Sequence, residues 1–426
     1  MVGEGRVCED LVRLAEPAEL PLERPHHPVG RARGATVRLV HPTGAFSPSM
    51  IAATVAELSR SYALTLVQLP ADWPEVPPAR RTLRLGPLRE SVAVPAEEYH
   101  LCGWSDSNVQ VRPDRDHQVL VPALTPADEE GLSQGLLAPK TPAGRSLGWV
   151  ARDLLGLKVG VAFGSGGQRG YAHFGTQFAL RNAGVPIDYV AGTSIGATSA
   201  AAFAAGFDPE HSLSLMDQAG RATFKPTWPL NSMLSFRKLE RLLEHALGSR
   251  DFEGLDVPLS VVAADLVSFQ EVHFRTGLLR PALLASIAIP GLYPAQRIGP
   301  YTLVDGSMIS PVPVSAARDL GADIVIGIRL GISPPSKPSV AHSATSQGSS
   351  PGMAYVLAKS IEMMRARMTE HAAQQSDMMI EVPFKATMRL GLRDFTAGRA
   401  YVALGEAAVE AAIPELSRLL PWLQPT

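Results

Sequence analysis

Hydrophobic and polar positions along the chain fall into two successive α/β patterns. In the first, ATVRLVHP (from Ala35) reads as a strand and SMIAATVAELSRSY as an amphipathic helix opened by Ser47 or Ser49. LTLVQL follows as a second strand and HQVLVPAL as a later one. In the second, LKVGVAF alternates as a strand does. A Gly-rich turn comes next, then a helix from about Tyr171 to Ala183, stopped by Gly184 and Pro186. IDYVA is the next strand, and an Ala-rich helix ending at Gly206 follows it. This β-turn-α-β-turn-α order demands parallel pairing and a sheet covered on both faces. Further strands are expected at LSVVAAD, TLVD and DIVIGIRL. Between them SFRKLERLLEHALG sets Phe236, Leu239, Leu242, Leu243 and Ala246 on one helix face, a stripe read as core with a lipid-facing role as the alternative.

These patterns divide the chain. Residues 1–34 are expected to be a polar tail, 35–145 a small α/β unit of unknown role, and 157–330 the main α/β domain. Residues 331–352 form a Ser/Pro/Gly linker or loop, and 353–426 a helical extension that opens with a Met-rich helix.

Composition narrows the class. With 46% hydrophobic residues, 19% charged residues and a formal charge of -2, the chain is globular and shows no basic surface for nucleic acid, which is not an expected partner. Cys8 and Cys102 make neither a disulfide framework nor a metal knuckle, which fits a reducing compartment. The N-terminal MVGEGRVCEDLVRL lacks the pattern of a signal peptide, so the expected location is cytoplasmic. One uncharged run, from Tyr189 to Phe207, is about long enough to span a bilayer, and Gly192 with Gly196 has the GxxxG spacing of packed membrane helices. It is built mostly of Ala, Gly, Ser and Thr, which gain little from lipid, so no transmembrane helix is expected.

The same run holds GTSIG, residues 192–196. A G-x-S-x-G after a strand and before a helix is the setting of a nucleophile elbow: the glycines Gly192 and Gly196 allow a tight backbone path and Ser194 is left at the edge of the sheet. The earlier turn, GSGGQRG, fails the dinucleotide fingerprint because Arg169 stands at the sixth place. Asp188 sits where a ribose-binding acid would be, which keeps a nucleotide-binding reading open. The loop still offers backbone N–H groups at a helix N-terminus, suited to a developing oxyanion. A serine needs a base. His211, His245, His273, His342 and His371 follow Ser194, as an esterase with a His-containing triad would require. The acid candidate is Asp305, which ends the strand TLVD before a Gly.

At these residues the chain resembles the patatin-like phospholipases, serine hydrolases with a Ser–Asp dyad and no catalytic His. SGGQRG matches the family's oxyanion motif, GTSIG its nucleophile motif and DGS its acid motif, while VVAADLVSFQEVHFRTG and ASIAIPGLYPA look like its central strand-hairpin and the loop before its acid. GLKVGVAFGSGGQRGYAHFGTQFALRNAG looks nearest to the bacterial relatives of neuropathy target esterase. Ser165 and Ser307 replace a Gly and a Gly or Ala of the family pattern, and ISPVP lacks the usual Asn near Ser310.

The resemblance implies a three-layer α/β/α fold with a mostly parallel sheet and the cleavage of lipid acyl esters through an acyl-serine. Ser194 would be the nucleophile, Asp305 the base, and Gly166, Gly167 and the backbone around Arg169 the oxyanion hole. No metal or organic cofactor is implied. The expected partner is a phospholipid or lysophospholipid, with peripheral contact to a membrane surface left open. Met353, Leu357, Ile361, Met364 and Met368 are candidates for an acyl-chain path, with core packing as the alternative. The rival function is an inactive patatin-fold protein that regulates or docks at membranes.

Overall fold

Apolar runs in the first third of the chain pair as short parallel strands. β1 (Val12–Leu14), β2 (Val37–Pro42) and β3 (Leu64–Val67) make one three-stranded sheet. β4 (Thr82–Gly86), β5 (Glu98–Trp104) and β6 (Gln118–Pro122) make another. The computed structural model describes these strands, Thr125, Pro126, Asp128, Glu130, and residues 141–223, 234–332, 353–384, 396–420 and 423. β1 falls in the stretch expected as a polar tail, where three residues are too few to show a period. The helix expected over 49–62 lies outside the described residues. A helix missed in the pattern, α1 (Pro142–Leu155), is capped by the Thr141 side chain, which accepts from Gly144 N, and ended by Gly156 at φ 64°. Residues 1–156 with 417–426 form one compact unit and residues 157–416 a second.

The second unit is an eight-stranded sheet flanked by helices. Its strands are β7 (Val159–Phe163), β8 (Tyr189–Thr193), β9 (Leu259–Asp265), β10 (Glu271–Phe274), β11 (Gln296–Ile298), β12 (Tyr301–Asp305), β13 (Ile324–Ile332) and β14 (Met378–Phe384). Its helices are α2 (Tyr171–Asn182), α3 (Ile195–Ala204), α4 (Pro209–Thr223), α5 (Arg237–Leu247), α6 (Leu279–Ser286), α7 (Val314–Asp319), α8 (Met353–Gln375) and α9 (Ala400–Leu419). Every residue of β7, β8 and β9 is buried, as central parallel strands must be. On one face Ala162, Ala191, Val262 and Val325 pack with Ala316 and Ala317 of α7 and Ala372 of α8. On the other, Ala263 and Leu303 pack with Ala285 of α6. This is the expected three-layer α/β/α arrangement with a mostly parallel sheet.

The C-terminal part differs from the expected helical extension. β14 lies within it and pairs in parallel with β13, extending the same sheet. MMIEVPF carries the period-2 signal of a strand, with Met378, Ile380, Val382 and Phe384 buried, between two helices long enough to dominate the reading. α8 and most of α9 belong to the same compact unit as the sheet.

One detail of register brings the ends of two strands together. Val262 of β9 is opposite Thr193 of β8 and His273 of β10, while Ala263 is opposite Asp305 of β12 and Val272 of β10. A strand has two edges, so β10 occupies one and β8 and β12 share the other, end to end. Thr193 and Asp305 therefore meet at adjacent positions of β9.

Candidate active site

Ser194 follows the last residue of β8 and precedes the first of α3, at φ 58° and ψ -125°. A non-glycine residue held there costs on the order of 1–3 kcal/mol and persists only where its surroundings fix it. Both flanking glycines are sterically required. A Cβ on Gly192 would strike Ala197, and one on Gly196 would strike the carbonyl oxygens of Phe163 and Gly164. The run from Tyr189 is thus a buried strand, an elbow and a buried helix, and among the described residues no helix is long and apolar enough to cross a membrane. The N-terminus of α3 points its partial positive charge at the serine. Ser286, absent from the sequence-based candidates, fixes the elbow: its Oγ accepts from Ser194 N at 2.9 Å and donates to Val262 O at 2.6 Å.

Asp305 ends β12 where β8 ends, and Ser194 Oγ donates to its Oδ2 at 2.6 Å. Oδ1 accepts from Ser307 N at 2.8 Å, and Asp305 N donates to Ala288 O at 2.9 Å. The carboxylate is 1% exposed and the serine 7%. Burial pushes the Asp305 carboxyl above the usual carboxylate range, opposed by hydrogen bonds from Ser194 and Ser307 and by the charge of Arg365. Ser307 donates its N–H to Asp305, and its hydroxyl also favours the ionised carboxylate, a contribution that the Gly or Ala it replaces would lack. At the missing Asn, Ser310 keeps its backbone at work: its N–H donates to Gly306 O at 2.8 Å and its carbonyl accepts from Thr193 Oγ1 at 2.8 Å.

The Gly-rich loop leads from β7 to α2. Gly164 N donates to Ile328 O and Ser165 N to Pro311 O, which ties the loop to its neighbours. Among the described residues the N–H groups of Gly166 and Gly167 meet no backbone acceptor, and Gly167 (φ 59°) lines the same cavity as Ser194. Arg169, expected in the oxyanion group, does a different job. Its N–H donates to Gly166 O at 3.3 Å, Nε to the same oxygen at 3.2 Å, and Nη1 to Leu330 O at 2.9 Å, so it staples the loop to β13. His173 acts beneath the loop, with Nε2 on Gly164 O at 2.6 Å and its ring edge-on to Phe163. Burial pushes this imidazole down to about 4, so it is neutral at pH 7.

Among the described residues neither a ribose-binding acid nor a histidine base is placed at Ser194. Asp188 sits before β8, at the opposite end of the sheet from the Gly loop, where its carboxylate accepts from Val159 N at 2.9 Å. No histidine among the described residues bonds Ser194 or Asp305. His211 and His245 are exposed, His371 bonds Gln375, and His273 lies between Glu271 and Asp319; His342 is outside the described residues.

A cavity of about 190 Å³ opens beside Ser194 between α3, α4, α5 and α6. Its walls are mainly apolar, and Leu239, Leu242, Leu243 and Ala246 of α5 contribute to them. The α5 stripe is therefore both packed and turned to the cavity. Met364 and Met368 are not among the residues lining this cavity, and Met364 is 61% exposed. The side chains of Met353, Leu357 and Ile361 lie outside those described.

The family model of patatin-like phospholipases matches residues 161–318. An uncharacterized NTE family protein of Mycobacterium tuberculosis is 34% identical over 176 residues, covering 41% of this chain and 49% of that one. Human patatin-like phospholipase domain-containing protein 6 is 29% identical over 249 residues, covering 55% of this chain and 18% of that one. The match thus spans about half the length of the mycobacterial relative and a smaller share of the human one. The crystal structure of VipD from Legionella pneumophila aligns at a TM-score of 0.34 and 12% identity, over 60% of this chain and 67% of that one. By the family match and these relatives, residues 161–318 are a patatin-like phospholipase domain.

Proposed function

We propose that this chain hydrolyses acyl esters of lipids, of the phospholipase or lysophospholipase type, through an acyl-serine intermediate. The observation that carries the reading is the Ser194–Asp305 hydrogen bond, with Ser194 in the wall of an apolar cavity. Ser194 Oγ attacks the ester carbonyl carbon while Asp305 takes its proton. The oxyanion is held by the N–H groups of Gly166 and Gly167, with the α3 N-terminus adding its dipole. Collapse expels the alcohol, which regains the proton from Asp305. Water, deprotonated by Asp305, then attacks the acyl-serine, and the fatty acid leaves as Ser194 is restored.

The cavity accepts the acyl chain. The ends of two hairpins support peripheral contact with a lipid surface. Leu266, Val267 and Phe269 follow β9 and are 48%, 70% and 76% exposed, and Tyr301 opens β12 at 38%. These residues lie beyond the end of the sheet that carries Ser194, since β9 runs on past the level of Thr193. The lone cysteines support a reducing, cytoplasmic setting.

Hydrolysis of p-nitrophenyl esters of increasing chain length, and of a lysophospholipid, tests the reading. The chain should prefer long acyl groups, and Ala246→Phe, which fills the cavity, should shift the preference to short ones. Absence of hydrolysis across the series, or full activity in Ser194→Ala, would contradict it.

A further inference from the structure

Arg365 lies on α8, in the Met-rich stretch that the reaction above leaves unused. Its Nη2 donates to Ser165 Oγ, one residue before the oxyanion donor Gly166. Ser165 is this chain's own departure from the family pattern, so the contact exists because a hydroxyl stands where a glycine is usual. Among the described residues Ser165 is the one side chain that Arg365 bonds, and no carboxylate pairs with it. A neutral hydroxyl takes one of five guanidinium donors and leaves the positive charge without a bonded carboxylate among the described residues. That charge reaches the dyad, since it opposes the upward push on Asp305. The side chain is partly exposed, so its remaining donors are open to an incoming group.

A guanidinium fixed through one nitrogen presents the rest of its planar fork to an anion with paired oxygens, and phosphate fits that fork. In a glycerophospholipid only the glycerol lies between the scissile ester and the phosphate. Gly166 and Gly167 follow Ser165 by one and two Cα steps of about 3.8 Å, so an ester carbonyl at those donors sets its phosphate beside the same loop.

We propose that Arg365 reads the head-group phosphate of the substrate, and so makes this site selective for phosphate-bearing acyl esters over neutral ones. The inference rests on the acyl-ester reading above and adds the residue that sets its substrate class.

The test compares a lysophosphatidylcholine with the monoacylglycerol of the same chain, both below their critical micelle concentrations, in wild type, Arg365→Gln and Ser165→Ala. Loss of a charge-assisted contact should lower the ratio of the two kcat/KM values by roughly 10- to 100-fold in Arg365→Gln. Ser165→Ala keeps the charge and should keep most of the ratio. An unchanged ratio in Arg365→Gln overturns the proposal, as does an equal fall in Ser165→Ala, which would make Arg365 a loop anchor. Calorimetry on Ser194→Ala with an ether-linked lysophosphatidylcholine and the matching ether glycerol reads the same contact without turnover. Adding Arg365→Gln should weaken only the phosphate ligand. Intact phosphate-selective binding in a protein that cleaves nothing would sink the hydrolase reading and leave this one standing.

Discussion

Ser194 Oγ donates directly to Asp305 Oδ2 at 2.6 Å, with no imidazole between them. The contact arises because β8 and β12 share one edge of β9 and end at adjacent positions, Thr193 opposite Val262 and Asp305 opposite Ala263. A carboxylate is a weak base for a hydroxyl, and burial strengthens it by raising its pKa.

That shift sets the acid side of the pH profile. Asp305 accepts a proton only when ionised, so activity should rise through a pKa above the ordinary value of about 4. Ser307 stabilises the ionised form. Ser307→Ala should therefore move the acid limb of kcat/KM to higher pH, and a limb that stays in place would remove Ser307 from the tuning of Asp305.

The same shift has a stability cost. A carboxyl with a raised folded pKa stabilises fully below its unfolded value of about 4, and that contribution is lost as pH rises through the folded value. Asp305→Asn should melt above wild type at neutral pH, and the gap should close as pH falls towards 4. Thermal melts across that range check the sign.

Gly167 tests the oxyanion loop through its backbone. A Cβ there would meet nothing within 4 Å, so the obstacle to a side chain is the φ of 59°, not space. Valine at such an angle is strained and should turn the N–H away. Gly167→Val should keep the far-ultraviolet circular dichroism and lose on the order of 10²–10³ in turnover number, the usual effect of one oxyanion donor.

His173 gives the loop an acid sensitivity. Its folded pKa is lowered to about 4, so its contribution to stability is present above the unfolded value of about 6.5 and is lost as pH falls towards 4. Urea melts of wild type should weaken across that window. His173→Gln keeps an N–H donor for Gly164 O and should show a flatter dependence.

How much of this the sequence carried depends on whether a signal was local. GTSIG, DGS and the strands before them are local, because tight turns demand glycine and buried strands demand apolar runs, so Ser194 and Asp305 were legible together with the three-layer fold. Ser286 and Arg365 were not. Ser286 meets Ser194 across 92 residues of chain and Arg365 meets Ser165 across 200, and neither position has a periodic or turn signature. The engagement of the Arg169 N–H by Gly166 O was not legible either, because a motif fixes where a residue lies and not which carbonyl its N–H meets. β14 had a visible period of two and was lost between the helices that flank it.

In the proposed dyad the carboxylate itself takes the serine proton. The most direct measurement is labelling by a fluorophosphonate, mapped by mass spectrometry and paired with ester hydrolysis. It would cover wild type, Ser194→Ala, Asp305→Asn and single Ala variants of His211, His245, His273, His342 and His371. The expected result is one labelled residue, Ser194, no label in Ser194→Ala, no turnover in Asp305→Asn, and substantial activity in each histidine variant. Label on another serine, or one folded histidine variant as inactive as Ser194→Ala, would contradict it.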